Sequence, residues 1–278
     1  MDTKTTYINT VKGKVLLFGG VYSNLQALEA LIKVAEKENI APENCFCTGD
    51  IVGYCAQPEE TVQAFINWGA HSIIGNVEQQ LRNREVNCGC DFTEGSRCDV
   101  FSKAWYPFAQ NQLSEASINW MQTLPNYISF TYANKKIFMV HGSYHYISEF
   151  IFKSTPWKNK ISSFNETNCD VIVAGHSGLP FTDEKDSLLW LNPGVIGMPA
   201  NNAKPHVWYA ILNDTNGFSY SFHTLSYNYK KANTLMTEQQ LPPAYAQTLL
   251  TGFWDNMEIL PQEERLWKGR DLFKIINH

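Results

Sequence analysis

An α/β fold built on parallel strands is predicted by three observations. Through the first third of the chain, short apolar runs alternate with segments whose apolar residues recur every three or four positions. Each run stops at a glycine-containing turn that carries a polar residue or a second glycine: Gly19-Gly20, Gly49-Asp50 and Gly75-Asn76. The second half is rich in further short apolar runs, two of which deliver His141-Gly142 and Gly175-His176. Of 278 residues, 44% are hydrophobic and 13% aromatic, enough to bury a sizeable core and exclude wholesale disorder.

In chain order, residues 14–18 read as a buried strand. Residues 23–36 place Leu25, Leu28, Leu31, Ile32 and Ala35 on one helical face, with Ser23 or Asn24 able to cap it. A strand at 44–48, a helix at 59–68 and a strand at 72–74 follow, so the order is that of parallel strands with helical crossovers. Residues 86–111 are irregular and read as an insertion or flap, with a helix around 100–105. A helix is expected at 112–124, strands at 127–132 and 136–140, a helix at 157–165 and a strand at 171–174. Runs at 188–191, 206–212 and 218–223 complete the strands, with a hairpin turn over 213–217. From about residue 229 the tail is polar, Pro-interrupted and expected to be helical. No repeat, low-complexity segment or linker interrupts residues 1–278, so one domain is expected.

Charge and composition exclude several classes. Lys and Arg total 22 against 27 Asp and Glu, a net charge of −5, which is not the footprint of a general nucleic-acid binder. The apolar runs at 15–18 and 171–174 are far shorter than the ~18 residues a membrane span needs. The first six residues have no apolar core of a signal peptide. The 7 cysteines are therefore expected as reduced thiols in a cytoplasm. Cys88-Gly89-Cys90 followed by Cys98 has a metal-like spacing, but three sulfurs leave a tetrahedral site one ligand short, and free thiols in a loop are the expectation.

In open α/β sheets ligands gather beyond the carboxyl ends of the strands. Asp50, Asn76, His141 and His176 all stand there beside a glycine, and together offer a carboxylate, an amide oxygen and two imidazoles. That mixed set suits Mn, Zn, Fe or Ni rather than calcium.

The ordered series resembles the calcineurin-like metallophosphoesterases of the small bacterial type. It consists of residues 23–28 (Ser-Asn-Leu-Gln-Ala-Leu), Gly49-Asp50-Ile51-Val52-Gly53-Tyr54, Gly75-Asn76, His141-Gly142, Gly175-His176 and Asn192-Pro193-Gly194. The resemblance implies a four-layer α/β/β/α sandwich and hydrolysis of phosphomonoesters or phosphodiesters by metal-bound hydroxide. It also implies that Asp50, Asn76, His141 and His176 hold one metal of a two-metal site. The other metal's ligands depart from the pattern: the expected Asp and His of the first motif are Gly20 and Tyr22, and the final His is Gly178. The family's general acid falls on Val77. One divalent ion is therefore expected, with Tyr22, Asn24 and Asn192 supporting the ligands from behind. His145, four residues past His141, is a candidate replacement acid, though a structural role is the expectation. Trp105-Tyr106-Pro107-Phe108 is expected to pack in the core rather than stack on a nucleotide. Two functions are compatible with this pattern: a phosphoesterase with a reduced site acting on a small phosphorylated substrate or nucleotide, or a non-catalytic relative that binds a phosphorylated ligand or a protein partner.

Overall fold

The computed structural model describes residues 4–90 and 93–276. Two sheets stack face to face. The first contains β1 (Thr5–Val11), β5 (Tyr127–Tyr132), β6 (Lys135–Met139), β7 (Val171–Val173), β9 (Leu188–Pro193) and β8 (Pro180–Lys185), in that spatial order. The second runs β11 (Ser219–Leu225), β10 (Val207–Asn213), β2 (Val15–Phe18), β3 (Cys45–Cys47) and β4 (His71–Ser72). β2, β3 and β4 are parallel, joined by α1 (Leu25–Lys37) and α2 (Pro58–Trp68), as the alternation predicts. β6, β7 and β9 are likewise parallel.

Alternation within the strands makes the layers. In β2, Val15 and Leu17 face the other sheet, whereas Leu16 and Phe18 face helices. In β10, Trp208, Ala210 and Leu212 enter the space between sheets, and Val207, Tyr209 and Ile211 face outward beneath helices. Those helices are α1, α2, α4 (Arg97–Gln112), α5 (Glu115–Thr123), α7 (Tyr229–Glu238) and α8 (Pro243–Thr251). On the far face of the first sheet, Phe164 of α6 (Trp157–Thr167) packs with Phe138, Ile172 and Trp190. The arrangement is the four-layer α/β/β/α sandwich. Three short helices, α3 (Asn76–Arg82), α9 (Gln262–Arg265) and α10 (Leu272–Ile276), and a single 3-10 turn at Pro42–Asn44 complete the elements among the described residues, none of whose helices is long and apolar enough to cross a membrane.

Differences from the expected elements have local causes. The helix expected near 100–105 runs over Arg97–Gln112, because the Ser96 side chain caps it by accepting from Asp99 N. The next helix starts at Glu115 instead of 112, because Ser114 caps it in the same way. β4 is His71–Ser72, starting one residue and ending two residues earlier than the expected 72–74 strand. β1 and β8 were not expected: both are half exposed, at opposite edges of one sheet, and have no apolar run to announce them.

Candidate metal centre

The carboxyl ends of four strands meet at one point between the sheets. β3 delivers Asp50, β4 delivers Asn76 at the start of α3, β6 delivers His141 and β7 delivers His176. The chain at Gly49 passes so close to its neighbours that a Cβ there would lie 2.7 Å from Gly75 Cα and 2.9 Å from His141 Nδ1, and its φ of +94° is the left-handed region that glycine tolerates. Asp50 and His176 also hold left-handed φ values, +59° and +58°. Such conformations cost about 1–3 kcal/mol each and persist only where the surroundings enforce them.

The clamp on Asp50 is Glu78. Its fully buried carboxylate accepts from Asp50 N at 2.8 Å, Val52 N at 2.9 Å and Gly75 N at 3.1 Å, locking the two turns together. Burial and the neighbouring Asp50 charge push its pKa up to about 7. Sequence reasoning did not single out Glu78; the signal available was an acid three residues into a helix whose capping glycine has no side chain.

His141 is the hub. Its Nδ1 lies 2.6 Å from the Thr48 carbonyl, which can only accept, so Nδ1 carries hydrogen and Nε2 faces the centre. Nε2 lies 3.0 Å from Asn76 Oδ1, 3.2 Å from His176 Nδ1 and 3.2 Å from Asp50 Oδ2. Asn76 is aimed by its other end: Nδ2 donates to the Cys88 carbonyl at 2.8 Å and to Cys90 Sγ at 3.1 Å, leaving Oδ1 turned inward. Among the described residues, the one set of three His, Cys, Asp or Glu ligand atoms within 4.8 Å of each other is that of Asp50, His141 and His176.

These groups are buried and mutually polarised. Burial opposes ionisation of Asp50, but the His141 imidazole outweighs it and holds the carboxyl below its usual range. Burial disfavours charge on His141 too, yet Asp50 raises its pKa above the ordinary value. Burial and the His141 charge drive His176 down to about 3, so it stays neutral, and its buried Nε2 has no hydrogen-bond partner. A carboxylate, two imidazoles and an inward amide oxygen form a donor set that fits a divalent transition metal.

The remaining expected site residues stand around this centre. Tyr22 sits in a slot walled by glycine. A Cβ on Gly20 would meet the Tyr22 ring, with Oη at 2.9 Å, and Cβ atoms on Gly53 and Gly197 would also strike it. Burial and then the Asp50 charge raise the Tyr22 pKa well above its ordinary value, so it is a neutral phenol. Asn24 caps α1 by accepting from Ala27 N at 3.2 Å and donates to Gly197 O at 3.1 Å, so it secures the Tyr22 turn. Asn192 donates to Gly175 O and Ser177 Oγ, both at 2.9 Å, bracing the His176 turn. Gly178 opens onto the Trp254 ring, 3.7 Å from where its Cβ would stand.

A cavity of about 90 Å³ opens beside Asp50 and His176. Its walls include Tyr22, Tyr54, Cys90 and Cys98, and also Tyr245 and Trp254 of the tail. Sequence reasoning did not place the tail at the site, since nothing in its polar, Pro-interrupted composition marks a cavity wall.

Known proteins share this architecture. A hypothetical protein from Pyrococcus horikoshii superposes with a TM-score of 0.73 at 20% identity, over 87% of this chain and 99% of its own. A metallophosphoesterase from Sphaerobacter thermophilus superposes at 0.68 and 22% identity, over 87% and 100%. In sequence, an uncharacterized protein of Methanocaldococcus jannaschii is 24% identical over 259 residues, 87% of this chain and 99% of that one. The family model of the calcineurin-like phosphoesterase superfamily domain matches residues 14–216, which hold Asp50, Asn76, His141 and His176 but none of the tail. Most of the chain thus fits that model, and the protein belongs to the calcineurin-like phosphoesterase superfamily.

Proposed function

We infer that the chain is a metal-dependent phosphoesterase whose centre holds one divalent transition-metal ion (Mn, Zn, Fe or Ni) on Asp50, Asn76, His141 and His176. The observation that carries this is the convergence of Asp50, His141 and His176 ligand atoms within 4.8 Å, with Asn76 Oδ1 3.0 Å from His141 Nε2. A single ion is supported by the surroundings: Gly20 and Gly178 offer no donor, and the space in front of Gly20 is filled by the Tyr22 ring. When bound, such an ion lowers the pKa of water and polarises a phosphoryl oxygen.

The chain's own groups supply the rest. Thr48 holds the His141 proton on Nδ1, and Cys88 and Cys90 hold the Asn76 amide with its oxygen inward. Glu78 fixes the turns that carry Asp50 and Asn76. Tyr22, kept protonated, presents a neutral hydroxyl in a cavity that also borders Asp50. Val77 has no proton to give a leaving group, and general acid help is typically worth 10²–10⁴-fold. Esters with good leaving groups suffer least from that loss.

The test is elemental analysis of protein purified without chelator, followed by assays on p-nitrophenyl phosphate and its bis ester with Mn²⁺, Zn²⁺, Fe²⁺ and Ni²⁺. About one ion per chain and turnover lost in both Asp50→Asn and His176→Ala are expected. No bound ion and no turnover with any of the four would overturn the reading. The filled Gly20 slot also favours a second reading, a non-catalytic binder of a phosphorylated ligand, which predicts thermal stabilisation by phosphate without product.

A further inference from the structure

The cavity beside the metal centre has a composition that suits one kind of ester. Its walls are mostly aromatic and apolar: Tyr22, Tyr54, Phe150, Met198, Tyr245 and Trp254. The rings are packed edge to face, Tyr22 with Tyr54 and Tyr54 with Tyr245, each at 4.7 Å between centroids. Among the described residues, no lysine or arginine lines it. The charged groups that do are acidic, Asp50 at the centre and Asp255 at the rim. Asp255 is paired with the Arg97 guanidinium, whose Nη2 lies 2.9 Å from Oδ1, and this holds the carboxyl below its usual range. A ligand's negative charge therefore has one place to go, the metal centre itself.

Size narrows the choice. A volume of about 90 Å³ is below the roughly 150 Å³ of an apolar cavity that encloses benzene, so no group larger than one ring fits. The far wall is also anchored. Trp254 Nε1 donates to Pro199 O at 2.7 Å, Trp254 N to Asn201 Oδ1 at 3.0 Å, and Glu258 accepts from Arg97 N at 3.0 Å. Tyr245, Trp254 and Asp255 all lie beyond residue 216, outside the part matched by the superfamily model.

We propose that this cavity receives the organic group of the substrate and selects small phosphoesters bearing one neutral aromatic ring, against nucleoside polyphosphates and other polyanions. The proposal rests on the phosphoesterase reading and deepens it. The observation that carries it is the aromatic wall, which holds no lysine or arginine among the described residues. A phenol, with a pKa near 10, leaves without the protonation that an alkoxide needs. In the reaction one water forms a new P–O bond, the P–O(aryl) bond breaks with its electron pair on the phenol oxygen, and the water's proton ends on that oxygen or on phosphate.

Binding of non-hydrolysable probes separates this from the hydrolysis reading. Isothermal titration of Mn²⁺-loaded protein with phenylphosphonate and methylphosphonate compares the ring directly, with no leaving-group effect. Phenylphosphonate is expected to bind at least ten-fold tighter, and α,β-methylene-ADP no tighter than methylphosphonate. Tyr245→Ala, shown by thermal melting to be folded, is expected to bring the phenyl and methyl affinities within three-fold of each other. Equal affinities in the unmutated protein, or tighter binding of the methylene nucleotide, overturn the proposal whether or not any ester is hydrolysed. Ring-selective binding without turnover sustains the pocket and sinks the phosphoesterase reading alone.

Discussion

At Glu78 a single buried carboxylate gathers three backbone N–H groups from two turns, and two of those turns carry proposed ligands. Truncation would leave buried donors unpaired, each at about 1–3 kcal/mol. Glu78→Ala is expected to destabilise the protein by about 3 kcal/mol or more in chemical denaturation and to weaken metal retention. A loss below about 1 kcal/mol would show that the turns hold themselves. Asp50, Asn76, His141 and His176 were legible in the sequence because each follows an apolar strand and stands beside glycine. Glu78 was not, because a buried acid that accepts from backbone has no periodic signature. The hydrogen bond from Asn76 to Cys90 was hidden for the same reason: it depends on how a loop returns, not on spacing along the chain.

Helix ends repeat this lesson one level up. Glu59 of α2 reaches the cap of α5, accepting from Ser114 N at 3.0 Å, Ser114 Oγ at 2.8 Å and Ser117 Oγ at 2.7 Å. Burial alone would raise its pKa, but these bonds prevail and lower it. A carboxyl whose pKa is depressed by folding lends stability above its unfolded pKa, and that share is lost as pH falls through the folded value. Glu59→Gln is therefore expected to cost stability near pH 7, and the gap to the unmutated protein should narrow as pH falls below the ordinary carboxyl range, as urea melts across pH will show. A gap independent of pH would mean the bonds act by shape alone. The crossover helices α1 and α2 were readable from their three- and four-residue apolar spacing, as was their parallel pairing. β8 was not: its Pro180–Lys185 sequence becomes a strand through pairing with β9.

Across the whole molecule, the proposed donors come from both sheets: Asp50 and Asn76 follow β3 and β4, and His141 and His176 follow β6 and β7. A cation bound there ties the two sheets together at one end of their shared core. A ligand that binds only the folded state adds about 2.7 kcal/mol at a hundred times its dissociation constant. Saturating Mn²⁺ or Zn²⁺ is expected to raise the thermal midpoint, and His141→Ala to abolish the rise. An equal rise in that variant would place the ion elsewhere. The four-layer stack itself was predictable from motif order, while the tail's role needed the folded chain.

The tail's share of the wall has a temporal side. Protein synthesis runs from the N-terminus, so Asp50, Asn76, His141 and His176, with Tyr22 and Tyr54, leave the ribosome before Tyr245 and Trp254 are made. The donors are encoded early, and the last of the wall closes beside them only when the tail arrives.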